Sequence, residues 1–210
     1  MTRPGKIVIL NGAPRSGKSS IVKVIQRDFP GVWINLGVDV SVRHMTPEAL
    51  RPGIGLRPGG ERPDLESNIP TLYTALYDSI AAHSRLGLNV VADFGHHDDY
   101  SQSLGILPIC ARRLKDLPAY LVGVRCPLEA ILERRRESPA EYLAPEGNAP
   151  IQEPILRWQE AVHRPGIYDL EVDTSNLSPE ACAESIRRLI EGPDPPTALP
   201  QLSHEEKHAV

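Results

Sequence analysis

The chain has 210 residues and a mass of 23.1 kDa, with 23 basic against 27 acidic side chains and a net charge of −4. That length suits one domain with a sizeable core, and a pI near 6.0 lacks the basic footprint that duplex nucleic acid or an anionic membrane requires of a partner. No apolar stretch approaches the roughly 20 residues that span a bilayer, and no signal peptide is visible in the first residues.

Apolar runs and helix-period stretches alternate along the chain. Ile7 to Leu10 (IVIL) reads as a first strand and ends at the turn signal Asn11-Gly12. Ser19 to Phe29 places Ile21, Val22, Ile25 and Phe29 on one helical face, and Pro30-Gly31 stops it. Val32 to Val38 is the second predicted strand. Ile69 to Leu86 is a long helix with Leu72, Leu76, Ile80 and His83 along one stripe and Gly87 as its stop. Leu88 to Phe94 is the third strand, Leu104 to Leu117 a helix, and Ala119 to Val124 the fourth strand. A helix from Leu128 to Glu137 opens behind Pro127, and Pro154 to His163 forms a short one. Leu170 to Val172 begins the fifth strand, and Ser178-Pro179-Glu180 starts a last helix to about Glu191, ended by Gly192-Pro193. Such alternation implies a doubly wound α/β domain, its parallel sheet covered on both faces.

Proline is the compositional oddity: 21 of 210 residues, about twice average usage. One group sits at 193–210, which has little to bury and is expected to be disordered. Two others sit in long loops, one at about 41–68 and one at about 138–154. Loops of that length in a compact domain are usually functional or disordered. The first is expected to bind an acceptor and the second to close as a lid. The domain itself is expected to cover residues 1–192.

Gly12-Ala13-Pro14-Arg15-Ser16-Gly17-Lys18-Ser19 matches GxxxxGK[ST], which chance places in roughly 1% of chains this long. It follows a predicted strand and opens an amphipathic helix, as phosphate binding requires. Backbone N–H groups within 12–20, Ser20 included and Pro14 excepted because it has none, would cradle phosphates at a helix N-terminus. Lys18 would reach the β- and γ-phosphates of ATP, and Ser19 would bind Mg²⁺. No NKxD-like guanine reader is present, and the chain is short for a motor. A small-molecule kinase fits the length best.

Asp39 ends the second predicted strand, where a carboxylate can accept the proton of an attacking hydroxyl or serve as a turn residue. Asp93 ends the apolar run Val90-Val91-Ala92 and is the second candidate for the metal. Gly95-His96-His97-Asp98-Asp99 follows. There, Asp98 or Asp99 is expected to cap the next helix, and Phe94, His96 and His97 are expected to face the acceptor. Arg134, Arg135 and Arg136 point about 100° apart on one helix, so at most one or two can meet the nucleotide. Arg157 is a further candidate. The cysteines Cys110, Cys126 and Cys182 form neither a CxxC pair nor a zinc spacing, which points to a reducing, cytoplasmic location.

With these residues in place, the chain resembles the chloramphenicol phosphotransferase-like family of small P-loop kinases from about Lys6 to Glu191. The resemblance rests on ILNGAPRSGKSS, LGVD, GVRCPLEAILERR, His163, Tyr168-Asp169 and VDTS at Val172 to Ser175. It implies a three-layer P-loop NTPase fold with a five-stranded parallel sheet, ATP as donor, and a small hydroxyl acceptor. By the same resemblance Asp39 is the base, Lys18 and Ser19 the loop residues and Arg134 the lid arginine, while Thr174 lies beside the adenine. The acceptor-binding segments differ from those of the enzyme acting on chloramphenicol, which has paired acidic residues where this chain has Asp93 and Phe94. A nucleoside or sugar kinase and a nucleotide-gated binding protein stay open as alternatives. So do the acceptor and the oligomeric state, homo-oligomer included.

Overall fold

The computed structural model describes residues 3–137 and 153–204. Most of the stretch assigned to a lid, up to residue 152, lies outside them. Five strands, β1 (Ile7–Asn11), β2 (Trp33–Asn35), β3 (Asn89–Phe94), β4 (Ala119–Arg125) and β5 (Leu170–Asp173), form one sheet in the order β2-β3-β1-β4-β5. All four pairings are parallel. β1 lies at the centre, and its register sets Leu10 beside Asp93 and Asn11 beside Gly123. The phosphate-loop sequence therefore leaves the sheet at its middle, between the ends of β3 and β4.

Alternate residues of the strands feed separate cores, which is why the apolar runs are continuous. On one face Ile7, Ile9, Val90, Ala92 and Leu121 pack with α4 (Ile69–Arg85), α5 (Ile106–Leu114) and α9 (Ala198–Ser203). On the other, Val8, Leu10, Val91, Val122 and Val172 pack with α1 (Lys18–Asp28) and α8 (Pro179–Glu191). Ser178 caps α8, its hydroxyl accepting from the Ala181 N–H at 3.2 Å. A small third cluster of Ala13, Cys126, Ile131 and Val162 joins the loop after β1 to α6 (Leu128–Glu137) and α7 (Glu153–Ala161). Among the described residues no helix is long and apolar enough to cross a membrane.

Three expectations change. β2 closes at Asn35, and Val38–Val40 already forms a helical turn, α2, so Asp39 lies in that turn instead of ending a strand. Leu36 keeps one ladder bond to Val91 O at 3.2 Å before Gly37 breaks away. The stretch at 41–68, expected to be a loop, holds a π turn at Ser41–Met45, 3₁₀ turns at Glu48–Leu50 and Gly53–Gly55, and a short α3 (Pro63–Glu66).

The third concerns the C-terminal stretch, expected to be disordered. Up to residue 204 it folds onto the sheet, with Ala198, Leu199 and Leu202 fully buried against α5 and β4. The Asp169 carboxylate anchors it by accepting from the N–H groups of Thr197 at 2.7 Å and Ala198 at 3.0 Å, and from Leu121 N–H at 2.8 Å. Three well-placed apolar residues, together with the Asp169 anchor, order a segment that is otherwise polar and proline-rich.

Candidate active site

The loop from Gly12 to Ser19 is held from behind by its carbonyls. Lys18 Nζ donates to Gly12 O at 2.7 Å and Ala13 O at 2.8 Å. Arg134 Nη1 donates to Arg15 O at 3.2 Å, and the Thr174 hydroxyl to Ser16 O at 2.7 Å. Gly12 N–H and Ser16 N–H are themselves bonded to Phe94 O and Ala13 O, so the amides nearer the start of α1 carry the polarity an anion needs. Gly17, at φ 93°, supplies the left-handed step into α1, whose start no side chain caps. Burial pushes the Lys18 amine down to about 8, against the attraction of Asp93 and then Asp39.

Beside the loop, the Ser19 hydroxyl donates to Asp93 Oδ2 at 2.9 Å. The pair comes from α1 and the end of β3, brought together because β3 lies next to β1. A hydroxyl and a carboxylate are hard oxygen donors of the kind Mg²⁺ takes beside phosphate and water. Two such donors leave the remaining positions of a Mg²⁺ ion to phosphate oxygens and water, so the pair fits a cation shared with a nucleotide.

Two cavities meet here. One, of about 580 Å³, runs from Gly17, Lys18 and Ser19 past Lys23 and Arg134 to Thr174, Leu177 and Pro179. The other, of about 290 Å³, runs from Arg15, Asp39 and Asp93 to an apolar wall of Val38, Val42, Pro52, Ile54 and Trp158. Arg15, Lys18, Ser19 and Asp39 line both.

The residues expected to act are partly gathered and partly scattered. Lys18, Ser19, Asp93 and Asp39 converge at that junction. Of the three consecutive arginines, Arg134 reaches the loop: its guanidinium also bonds Thr174 O at 2.8 Å and Oγ1 at 3.2 Å, tying α6 to the turn after β5. Arg135 is buried, Arg136 is exposed, and Arg157 lies across Gly59. Of the four residues assigned to the acceptor, Asp39 and Phe94 line the smaller cavity; His96 and His97 do not. His96 is buried against Tyr73, Tyr77 and Phe94, shares a 2.6 Å hydrogen bond with the Tyr77 hydroxyl, and is neutral, burial having pushed it down to about 3. The ring of His97 is turned the other way, onto Leu56 O at 2.8 Å. Asp98 accepts from the N–H groups of Leu104 and Gly105 at 2.9 Å and so holds the turn before α5. His163 bonds the Tyr168 hydroxyl, which also accepts from Asn11 Nδ2 at 3.1 Å, so this set braces the end of β1.

Several cavity residues carry no motif. Val42, Ile54 and Arg57 come from the proline-rich loop, and Trp158 comes from α7. The density of turn residues between β2 and α4 was the available signal. It marks a shaped loop without saying which side chains point inward.

The model of the chloramphenicol phosphotransferase-like family matches residues 5–191. The chain belongs to that family. No curated protein matches it in sequence. Solved structures share its fold at low identity. The APS kinase of Mycobacterium tuberculosis, in complex with AMPPNP and APS, aligns over 90% of this chain and 99% of its own at TM-score 0.55 and 18% identity. A shikimate kinase from Acinetobacter baumannii, in complex with shikimate, covers 90% and 94% at TM-score 0.57 and 12%. The tunicamycin resistance protein of Deinococcus radiodurans covers 92% and 99% at TM-score 0.57 and 17%. This family member thus has the α/β P-loop NTPase fold found in small P-loop kinases.

Proposed function

We propose that this family member is an ATP- and Mg²⁺-dependent O-phosphotransferase acting on a small hydroxyl-bearing molecule. The observation that carries the reading is the meeting of two cavities at Lys18, Ser19 and Asp39. A donor and an acceptor entering from opposite sides would face each other there, which is the positioning on which phosphoryl transfer depends.

The larger cavity suits ATP, with phosphates on the loop amides and Lys18, and the base toward Thr174, Leu177 and Pro179. Ser19 and Asp93 would hold Mg²⁺, which supplies positive charge that offsets the charge of the phosphates. Asp39 accepts the acceptor's hydroxyl proton. That oxygen bonds to the γ-phosphorus as the β–γ bridging P–O bond breaks, and ADP leaves with the electron pair. Arg134 adds a fixed cation beside the loop and stabilises the transferred charge. Three free, buried cysteines support a cytoplasmic location.

Replacing Asp39 by Asn tests the assignment through acceptor-stimulated ADP release and AMPPNP affinity. Turnover is expected to fall by about 10²–10⁴-fold, with AMPPNP affinity held within about threefold. Full activity of Asp39→Asn would remove the base. Tight nucleotide binding without stimulated ADP release across a broad acceptor panel would instead favour a nucleotide-gated binding protein.

A further inference from the structure

Arg57 lines the smaller cavity among apolar residues and is half-buried. Among the described residues its guanidinium has no hydrogen bond or ion pair, whereas Arg62, Arg125, Arg134 and Arg164 all have partners. Asp93, the nearer-buried acid of the cavity, is taken by Ser19. An arginine drawn partly out of water is normally paired.

The backbone that carries Arg57 is clamped on both sides. The buried Tyr73 hydroxyl donates to Ile54 O at 3.1 Å, His97 Nε2 donates to Leu56 O at 2.8 Å, and Gly59 N–H donates to Asp99 O at 2.7 Å. Ile54 and Leu56 are themselves buried. Three clamps within six residues hold the backbone of Arg57 beside the cavity, so less of the chain has to be ordered when a ligand binds. His97 thus ties this segment to the end of β3. The cavity, at about 290 Å³, is just below the roughly 300–1,000 Å³ range typical of drug-sized ligands.

We propose that the acceptor is a compact hydroxylated anion whose oxyanion is gripped by Arg57 while its hydroxyl meets Asp39; the proposal rests on the kinase reading above. Carboxylate, sulfate monoester and phosphate monoester share this chemistry, since each offers the planar or forked oxygens that a guanidinium matches. The apolar wall of Val38, Val42 and Trp158 would take the carbon skeleton.

The test pairs hydroxycarboxylic acids with their methyl esters and primary amides, and adds hydroxylated sulfate and phosphate monoesters. Each is measured by ADP release with ATP and Mg²⁺ and by calorimetric binding in the presence of AMPPNP. Wild-type protein is expected to prefer one class of anion over its neutral partner at least tenfold in kcat/KM. In Arg57→Gln the KM for that anion should rise about 10–100-fold, with AMPPNP affinity reporting a folded protein, and Arg57→Lys should recover part of the loss. Equal use of neutral and anionic partners, indifferent to Arg57→Gln, overturns the anion assignment and leaves the kinase reading intact. Anion binding that Arg57→Gln abolishes, without ADP release from any compound, supports the anion site and overturns phosphoryl transfer. If no panel member binds or reacts, both fall.

Discussion

Gly37 leaves room for Asp93: a Cβ on Gly37 would stand 2.0 Å from Asp93 Oδ1 and 3.0 Å from its backbone nitrogen. The other carboxylate oxygen holds Ser19. The turn that delivers Asp39 is thus packed directly on the group assigned to the metal, and α2 cannot move without disturbing it.

Gly37→Ala should therefore report on the metal pair. The added methyl has a carboxylate and backbone in its way, so either Asp93 shifts or the β2–α2 turn opens. A stability loss of about 1–3 kcal/mol is expected from the overpacking. Mg²⁺-dependent AMPPNP binding should weaken at least tenfold, with metal-free binding less affected. Calorimetry with and without Mg²⁺ checks this, and unchanged Mg²⁺ dependence would show that the contact does not set Asp93.

Lys18 gives nucleotide binding a pH signature. Burial lowers its amine to about 8 in the free protein, and phosphate oxygens would raise it again. Below pH 8 the lysine is already charged, so affinity for ATP is expected to be flat. Above pH 8 binding must take up a proton, and affinity should fall by up to tenfold per pH unit. Calorimetry in buffers of different ionisation enthalpy would detect the proton, and Lys18→Met should lose both it and turnover.

The same lysine affects stability with the opposite slope. Its unfolded value is near 10.5, so between about 8 and 10.5 the unfolded chain binds more protons and stability rises with pH. The cost of burying the charge is fully present below pH 8. Lys18→Met removes that charge and also the bonds to Gly12 O and Ala13 O, so the stability of wild type relative to Lys18→Met is expected to rise as pH climbs from about 8 toward 10.5. Paired melting curves across that range measure it.

The C-terminal helix should behave as part of the core. Leu199 and Leu202 are completely buried, and replacing either by Ala is expected to cost about 2–5 kcal/mol. Asp169→Ala would free the segment's N-terminus as well as Leu121 N–H. Chemical denaturation reads both. Truncation after Gly192 that left stability unchanged would show that α9 contributes nothing.

Much of the site could be read along the chain because its signals are local. Gly12 to Ser19, the strand before it and the helix after it are contiguous, and each residue type has its own reason for standing there. Asp93 could be proposed because an apolar strand ends in it. His96 and His97 resisted the same treatment. Adjacent histidines after a strand look alike in sequence, yet one meets the Tyr77 hydroxyl and the other Leu56 O, and neither lines the cavity. α9 was missed because its apolar residues are too few to form a pattern until α5 is placed beside them.

By itself the sequence determined the alternation of strands and helices, the phosphate loop and hence the parallel three-layer class. Those features follow from backbone preferences and periodicity within a few residues. Only the tertiary structure decided the strand order that sets Asp93 beside Ser19 across 74 residues. It also decided which of three arginines meets the loop, and which loop arginine lines the smaller cavity. Such outcomes depend on pairings between distant segments, where packing selects one partner from many that local chemistry would allow.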